Sequence, residues 1–522
     1  MSVIGKILDK STQDIFQFAS TNYFDARFIE VRADHIESGA KIIGEIIEKE
    51  ALNPYIENPA DVKYIKEDDE SLTSKSVYIA KVKSLAMISN GIRKDVTFPP
   101  LPGANVHEAV EDDIRLALRL EEEGVDIGII KGYNLPFKIS HNKLIRTHIA
   151  ILGQTGSGKS YFTAKLSVEL LKLRYHSDIP SKVAVPIIFD STGEYSAKYD
   201  VEEQSKIARI ISSKSIKSLY FPLLNEKYLP LLYEIYDIDD KQESELRLWL
   251  TSRGEDKSSI TTSDNSQQQL LKHPTKEDLI SEFNQGKLQS TRQLANRLEE
   301  FIKKHNRSYP NERLSIPYQA LSKMREFDLK IKKSDDVEII EDIGKGTIID
   351  LSEYTTYEER QIAMLLVLRQ LFEIAKSRKS DLKFVLFIDE AHNYVPSVYK
   401  SYCKEELLKI AREGRKYGIA LCLISQRPRW VDPTALSQCG TIFIFRIQNS
   451  DDKKHIFDSA SLPDTLRDSN VARFRRGEMI ITGDVVGTPI NCMVSKIDND
   501  FLSLMAKREK DTIVEPFKAR LK

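Results

Sequence analysis

The spacing of apolar residues changes character along this chain, and the changes mark out its parts. From residue 1 to about 95 the apolar positions fall in short β-type runs broken by turns: VIGKIL, an aromatic alternation around Phe24 to Val31, AKIIGEIIEKEA and SVYIAKVKSL. These runs predict the strands of a small barrel or sandwich, with no catalytic cluster among them. Pro99, Pro100, Pro102 and Gly103 then interrupt any regular element, and Glu108 to Glu123 has helical spacing at Ile114, Leu116, Ala117, Leu118 and Leu120. Residues 96–127 are therefore expected to be a linker and a helix.

Further on, the apolar runs become nearly continuous, the pattern of strands buried on both faces of a parallel sheet. They are IGIIKGY and FKISHN between Asp126 and Leu152, Ile149 to Leu152, Val183 to Phe189, GTIIDLSEY, Phe384 to Ile388, Ile419 to Ile424, Thr441 to Ile447 and GEMIITG. Between them lie an amphipathic helix after residue 158, another from Glu358 to Lys376, and a third along CKEELLKIAREGRKYGI. Residues 223–335 instead follow helical spacing around a polar loop, Ser252 to Gln269, which predicts a helical insertion. The expected fold class is α/β, its core carried by 128–222 and 336–500, and the basic tail 501–522 is expected to pack on a neighbouring copy or fray.

At 522 residues the chain exceeds what one hydrophobic core supports, so two to four domains are expected. Hydrophobic residues make up 41% and charged residues 30%, as in ordinary water-soluble proteins. The formal net charge is −1, so any contact with nucleic acid must come from local basic patches. Cys403, Cys422, Cys439 and Cys492 lack metal-ligand spacing and predict reduced core thiols in a cytoplasmic protein. The charged start predicts no signal peptide, and no uninterrupted apolar window is long enough for a membrane span.

The chemistry centres on IAILGQTGSGKSYFTAKLSVELL, Ile149 to Leu171. Its loop fits G-x-x-x-x-G-K-[ST] through Gly153, Gly158, Lys159 and Ser160, and it follows an apolar strand and opens a helix. Glycines let the backbone wrap an anion, successive N–H groups point inward, and the helix adds its positive end. Gly153, Gln154, Thr155, Gly156, Ser157, Gly158 and Tyr161 are thus expected to surround ATP, with Lys159 on its β- and γ-phosphates and Ser160 on Mg²⁺. A second apolar strand ends in Asp389 and Glu390, suited to hold the Mg²⁺ shell and to polarise the attacking water. Gln426, at the tip of the run Ile419 to Ile424, is expected to sense the γ-phosphate. Asp190 and Glu194 follow another strand, either in the nucleotide pocket or as solvated acids of a turn. Arg412 and Arg415 are spaced to share a helix face, either as surface arginines or as a finger reaching a neighbour's ATP. Arg427, Arg429 and Trp430, and Arg473, Arg475 and Arg476, are basic clusters fit for phosphate contacts or for solvated loops.

Taken together, HIAILGQTGSGKS, FIDEAHNYVP, AREGRKYGIALCLISQRP and DPTALSQCGTIFIFRI resemble the HerA branch of the HerA/FtsK translocase superfamily, over about Gly128 to Asp498. The β-rich start resembles the small barrel that precedes the motor in HerA proteins. The resemblance implies a RecA-like P-loop ATPase core with a helical insertion, assembled as a homo-hexamer that moves double-stranded DNA through a central channel. It implies a partner, a NurA-like nuclease or a defence effector, in DNA end processing or anti-phage defence. By position it makes Arg415 the better match to a trans-acting arginine, ahead of Arg412, and sets Arg146 near a subunit interface. DSTGEY departs from the Asp-Pro-His-Gly-Glu-Tyr common among relatives, so no histidine role carries over. A scaffold whose ATPase regulates a partner enzyme, without processive translocation, is the alternative reading.

Overall fold

The computed structural model describes residues 2–53, 76–133, 135–179, 182–195, 209–211, 346–352, 354, 356–377, 382–459 and 471–497, with a few positions between 292 and 299. Nearly all of the expected insertion 223–335, its polar loop 252–269 and the tail 501–522 lie outside the described residues. The strands begin with β1 (Val3–Ser11), β2 (Ile15–Ser20), β3 (Phe28–Arg32), β4 (Lys41–Leu52), β5 (Val77–Ser89), β6 (Ile92–Lys94) and β7 (Asn105–Glu108). Then come α1 (Glu111–Leu118), β8 (Val125–Ile130), β9 (Pro136–Ile139), α2 (His141–Arg146), β10 (His148–Leu152) and α3 (Lys159–His176). They are followed by β11 (Val185–Asp190), β12 (Arg209–Ile211), β13 (Thr347–Asp350), α4 (Tyr357–Lys376), β14 (Phe384–Ile388), α5 (Lys404–Glu413) and β15 (Ile419–Ser425). The last elements are α6 (Pro433–Ser437), β16 (Cys439–Ile444), α7 (Ser450–Ser459), β17 (Glu478–Gly483) and β18 (Ile490–Val494).

The chain packs as two units. The first comprises the described residues of Met1–Val183, Cys422–Arg429 and Leu436–Ile497; the second comprises those of Ala184–Leu421 and Trp430–Ala435.

The first unit opens with a closed barrel in the order β2-β1-β7-β3-β4-β5, shut by antiparallel pairing of β5 with β2 from Ile15↔Lys83 to Ser20↔Tyr78, with β6 added on β5. In β2 the inward positions are Phe16 and Phe18, which join Ile29, Val31, Ile42, Val82 and Val106 in the core. Closure leaves the barrel strands no free edge except where β6 is added. One strand corrects the expected linker: the Pro-rich stretch is only a connection, tied down where Gly103 N donates to Ile7 O at 2.9 Å, and Asn105–Glu108 then pairs with both β1 and β3. The helix after it is shorter than expected, spanning Glu111–Leu118.

Also in the first unit, Cys422–Ser425 of β15 and all of β16 run parallel to β10, and the sheet continues antiparallel through β17, β18, β8 and β9. Every residue of β10 is buried, which is why its run is apolar without alternation. Helix α3 corrects the expectation of an amphipathic helix, because it is buried on nearly every side, Lys165 and Glu169 included. That burial is tolerated because Lys165 Nζ lies 2.9 Å from Asp126 Oδ2 and 3.4 Å from Glu169 Oε1.

In the second unit β12, β13, β11 and β14 run parallel, from Arg209↔Thr347 through Val185↔Phe384. Helix α4 begins on a capping box, Thr356 with Glu359, and packs its apolar residues inward. Helix α5 stops at Glu413, short of the expected Ile419, and Gly414–Tyr417 continues as a 3₁₀ turn. All four cysteines are free and buried. Among the described residues no helix is long and apolar enough to cross a membrane.

Candidate nucleotide site

In the first unit, the loop after β10 is built by its own backbone. Gly153 N donates to Ser425 O at 3.2 Å and Gln154 N to Arg446 O at 2.9 Å, so both parallel neighbours of β10 hold the loop's start. Ser157 is buried, and its hydroxyl donates to Gln154 O at 2.7 Å. Lys159 Nζ donates to the same carbonyl at 3.0 Å, which holds the ammonium over the loop. Gly158 has φ +111°, and a Cβ there would lie 3.0 Å from the backbone nitrogen of Gly477. A side chain would therefore meet both conformational strain and a neighbouring backbone. Ser160 follows Lys159 in the first turn of α3, whose positive end favours an anion.

Gln426 stands beside this loop in the same unit, accepting a hydrogen bond from the Thr155 hydroxyl through its side-chain oxygen. Tyr161 is partly exposed, and its hydroxyl accepts from Ile497 N at 3.0 Å. Arg146 is the exposed last residue of α2, directly before β10.

In the second unit, β14 delivers Asp389 and Glu390 at its carboxyl end. Asp389 is 7% exposed. Burial, then the charges of Glu390 and Asp190, push its carboxyl up to about 8. Glu390 adopts a left-handed conformation, φ 50° and ψ 46°, uncommon for a residue with a side chain, and its Oε2 lies 3.3 Å from His392 Nδ1. Asp190 is fully buried and caps its own turn: Oδ1 accepts from Gly193 N at 2.9 Å and Oδ2 from Tyr195 N at 3.0 Å. Glu194, in that turn, is exposed.

These groups suit Mg²⁺. Asp389, with acidic neighbours, is a hard-oxygen donor in a negative environment, and Mg²⁺ is held by one or two carboxylates together with substrate phosphates. Among the described residues no group of three or more His, Cys, Asp or Glu is poised around a metal.

Arg412 and Arg415 are both exposed, and they do not share a helix face: Arg412 ends α5 while Arg415 sits on the 3₁₀ turn beyond it. Arg427, Arg429, Arg473, Arg475 and Arg476 are exposed as well. Trp430 instead stacks on Tyr399, ring centroids 5.5 Å apart and planes 12° from parallel.

Sequence reasoning missed the support beneath Asp389. The Ser191 hydroxyl bridges Asp389 O at 3.0 Å and the buried Tyr394 hydroxyl at 2.9 Å. Arg360 then reaches Ser191 O at 3.3 Å and Tyr354 O at 3.0 Å from α4. The residues adjoining Asp190 and Glu390 were the only sequence signal available, since the partners lie up to 203 positions apart.

The family description "Helicase HerA, central domain" matches residues 125–371. A DNA double-strand break repair helicase HerA from Sulfolobus acidocaldarius is 28% identical over 478 residues, covering 88% of this chain and 87% of that protein. A probable helicase from Methanocaldococcus jannaschii is 27% identical and covers 88% and 86%. Among solved structures, VirB4 of Thermoanaerobacter pseudethanolicus covers 73% of this chain and 98% of its own at 14% identity and TM-score 0.46.

Proposed function

Because the chain belongs to the HerA family of ATP-hydrolysing P-loop enzymes, we propose that it is a motor that uses ATP to move double-stranded DNA. It works as a homo-hexameric ring in the cytoplasm, with a partner nuclease of the NurA type or a defence effector, in end processing or anti-phage defence. The N-terminal barrel is its assembly or docking module. The observation that carries this reading is the phosphate loop of the first unit: glycine backbone, Lys159 held over the loop, and Gln426 joined to Thr155 beside it.

In this reading the loop amides from Gly153 to Gly158 cradle the triphosphate, and Lys159 moves from Gln154 O to the β- and γ-phosphate oxygens. The Ser160 hydroxyl and the Asp389 carboxylate hold Mg²⁺, which neutralises phosphate charge when bound. Glu390, fixed in its left-handed turn, orients the attacking water and takes its proton. Gln426 reads the γ-phosphate through Thr155. Arg415, in the exposed turn, reaches the ATP of the next subunit, with Arg412 the lesser candidate and Arg146 at the same interface. Asp190 and Glu194 complete the acidic rim of the pocket. Catalysis rests on position and charge neutralisation, as phosphoryl transfer requires little covalent help.

The test is ATP hydrolysis by the purified full chain with and without duplex DNA, paired with electron microscopy of the particle. Duplex-stimulated turnover by a six-membered ring is expected. Turnover indifferent to DNA would overturn translocation and leave the scaffold reading.

A further inference from the structure

The basic turn at Arg473, Arg475 and Arg476 has the composition of a DNA-contacting loop, yet its backbone is seated on the phosphate loop. Gly477 N donates to Ser157 O at 2.8 Å, and a Cβ on Gly158 would lie 3.0 Å from the Gly477 nitrogen, so Gly158 tolerates no side chain towards this turn. Glu478 holds this turn. Its Oε2 accepts from Arg475 N at 3.1 Å, and its Oε1 accepts from Asn491 Nδ2 at 3.3 Å and from the Lys131 ammonium. Glu478 is 1% exposed, whereas the Lys131 side chain is half exposed.

A carboxylate buried this deeply stabilises a fold no better than an apolar residue of its size would, so its value lies in fixing one arrangement. What it fixes extends in both directions. Lys131 follows β8, and its carbonyl accepts from Arg27 Nη1 at 2.5 Å; Arg27 in turn pairs with Glu45 of barrel strand β4 at 2.7 Å. The Tyr133 hydroxyl accepts from the backbone nitrogens of Arg27 at 3.2 Å and Phe28 at 3.1 Å. A continuous series of hydrogen bonds therefore joins the barrel to Ser157.

We infer that Glu478 is a positioning residue for nucleotide binding: through the Arg475–Gly477 turn it sets the seat of Ser157, and through Lys131 and Arg27 it ties that seat to the N-terminal barrel. This rests on the ATP-site reading above. Occupancy of the barrel by a partner then changes nucleotide affinity, and nucleotide changes partner affinity by the same factor.

The experiment uses the full chain carrying Glu478→Gln, Lys131→Met or Arg27→Met, with a fluorescent ATP analogue as the binding probe and steady-state hydrolysis as the second readout. Glu478→Gln and Lys131→Met are expected to raise Kd and KM about tenfold while turnover at saturating ATP stays within about twofold. Arg27→Met is expected to raise KM in the same sense, and to add less in the Lys131→Met background than alone. Lys131→Met keeps the inference exposed to refutation if Glu478→Gln fails to fold, because its side chain is half in solvent. Wild-type KM in a folded Lys131→Met protein would overturn the inference. So would a loss of turnover at saturating ATP that tracks a fall in melting temperature, the mark of a purely structural role. Absence of hydrolysis in the unmodified protein would overturn the ATPase reading instead.

Discussion

Asp389→Asn is expected to stabilise the nucleotide-free protein near neutral pH while abolishing hydrolysis. Burial first, and then the neighbouring acids Glu390 and Asp190, raise the Asp389 carboxyl from an ordinary 3.8 to about 8. The folded chain therefore keeps a proton that the unfolded chain releases. Stability contributed at this position is complete below about pH 4 and is lost as pH rises towards about 8. Each pH unit in that window costs about 1.4 kcal/mol, so near pH 7 the loss is on the order of 4 kcal/mol. Asparagine keeps the neutral shape and removes the titration. Thermal unfolding in chelator, followed between about pH 5 and 8, measures the difference between variant and parent. The melting difference is expected to widen with pH by up to roughly 10 °C. Adding Mg²⁺ and nucleotide is expected to narrow it, because a cation then occupies the place of the proton. A melting difference that stays constant across the pH range would refute the argument that Asp389 is held protonated by its surroundings.

The remaining predictions concern chemistry and packing. Lys159→Ala is expected to abolish turnover, and Glu390→Gln to bind ATP normally while slowing hydrolysis by roughly 10²–10⁴-fold; filter binding beside a phosphate-release assay separates the two. Arg415→Ala is expected to leave ATP binding unchanged and hydrolysis impaired, with activity recovered in rings mixed with a Lys159→Ala chain; normal hydrolysis by intact all-mutant rings would exclude it as the finger. Lys165→Met is expected to destabilise the first unit by about 3–5 kcal/mol because it leaves the buried Glu169 and the partly exposed Asp126 without their cation. Equal stability in denaturant would show that the pair is not needed.

The ATPase fold was readable, and its two anchor segments could be singled out, because each is local. A glycine pattern and the lysine and serine that close it occupy eight consecutive positions, Gly153–Ser160, directly after the apolar run Ile149 to Leu152, and Asp389 directly follows an apolar strand. β7 was hidden because prolines before it suggested a break, and a four-residue strand earns its place only by pairing on both sides with distant strands. Helix α3 carries Lys165 and Glu169 like an amphipathic helix, and their burial rests on their pairing with each other and on the facing Asp126. Arg415 was assigned to a helix that its own residues could continue; the chain leaves it at Gly414 for a 3₁₀ turn.

The contrast follows from the range of the forces involved. Glycine conformation, strand periodicity and the order of the Gly153–Ser160 residues are properties of neighbours along the chain, so the amino-acid order alone carried the reading of a P-loop ATPase and of the loop expected to hold phosphates. The Ser191–Tyr394 support beneath Asp389 and the Lys131–Glu478 pair, 347 positions apart, are decided by which segments the sheets bring within hydrogen-bond reach. No local pattern records such pairings, because a buried carboxylate and a surface lysine look ordinary until folding removes the water between them.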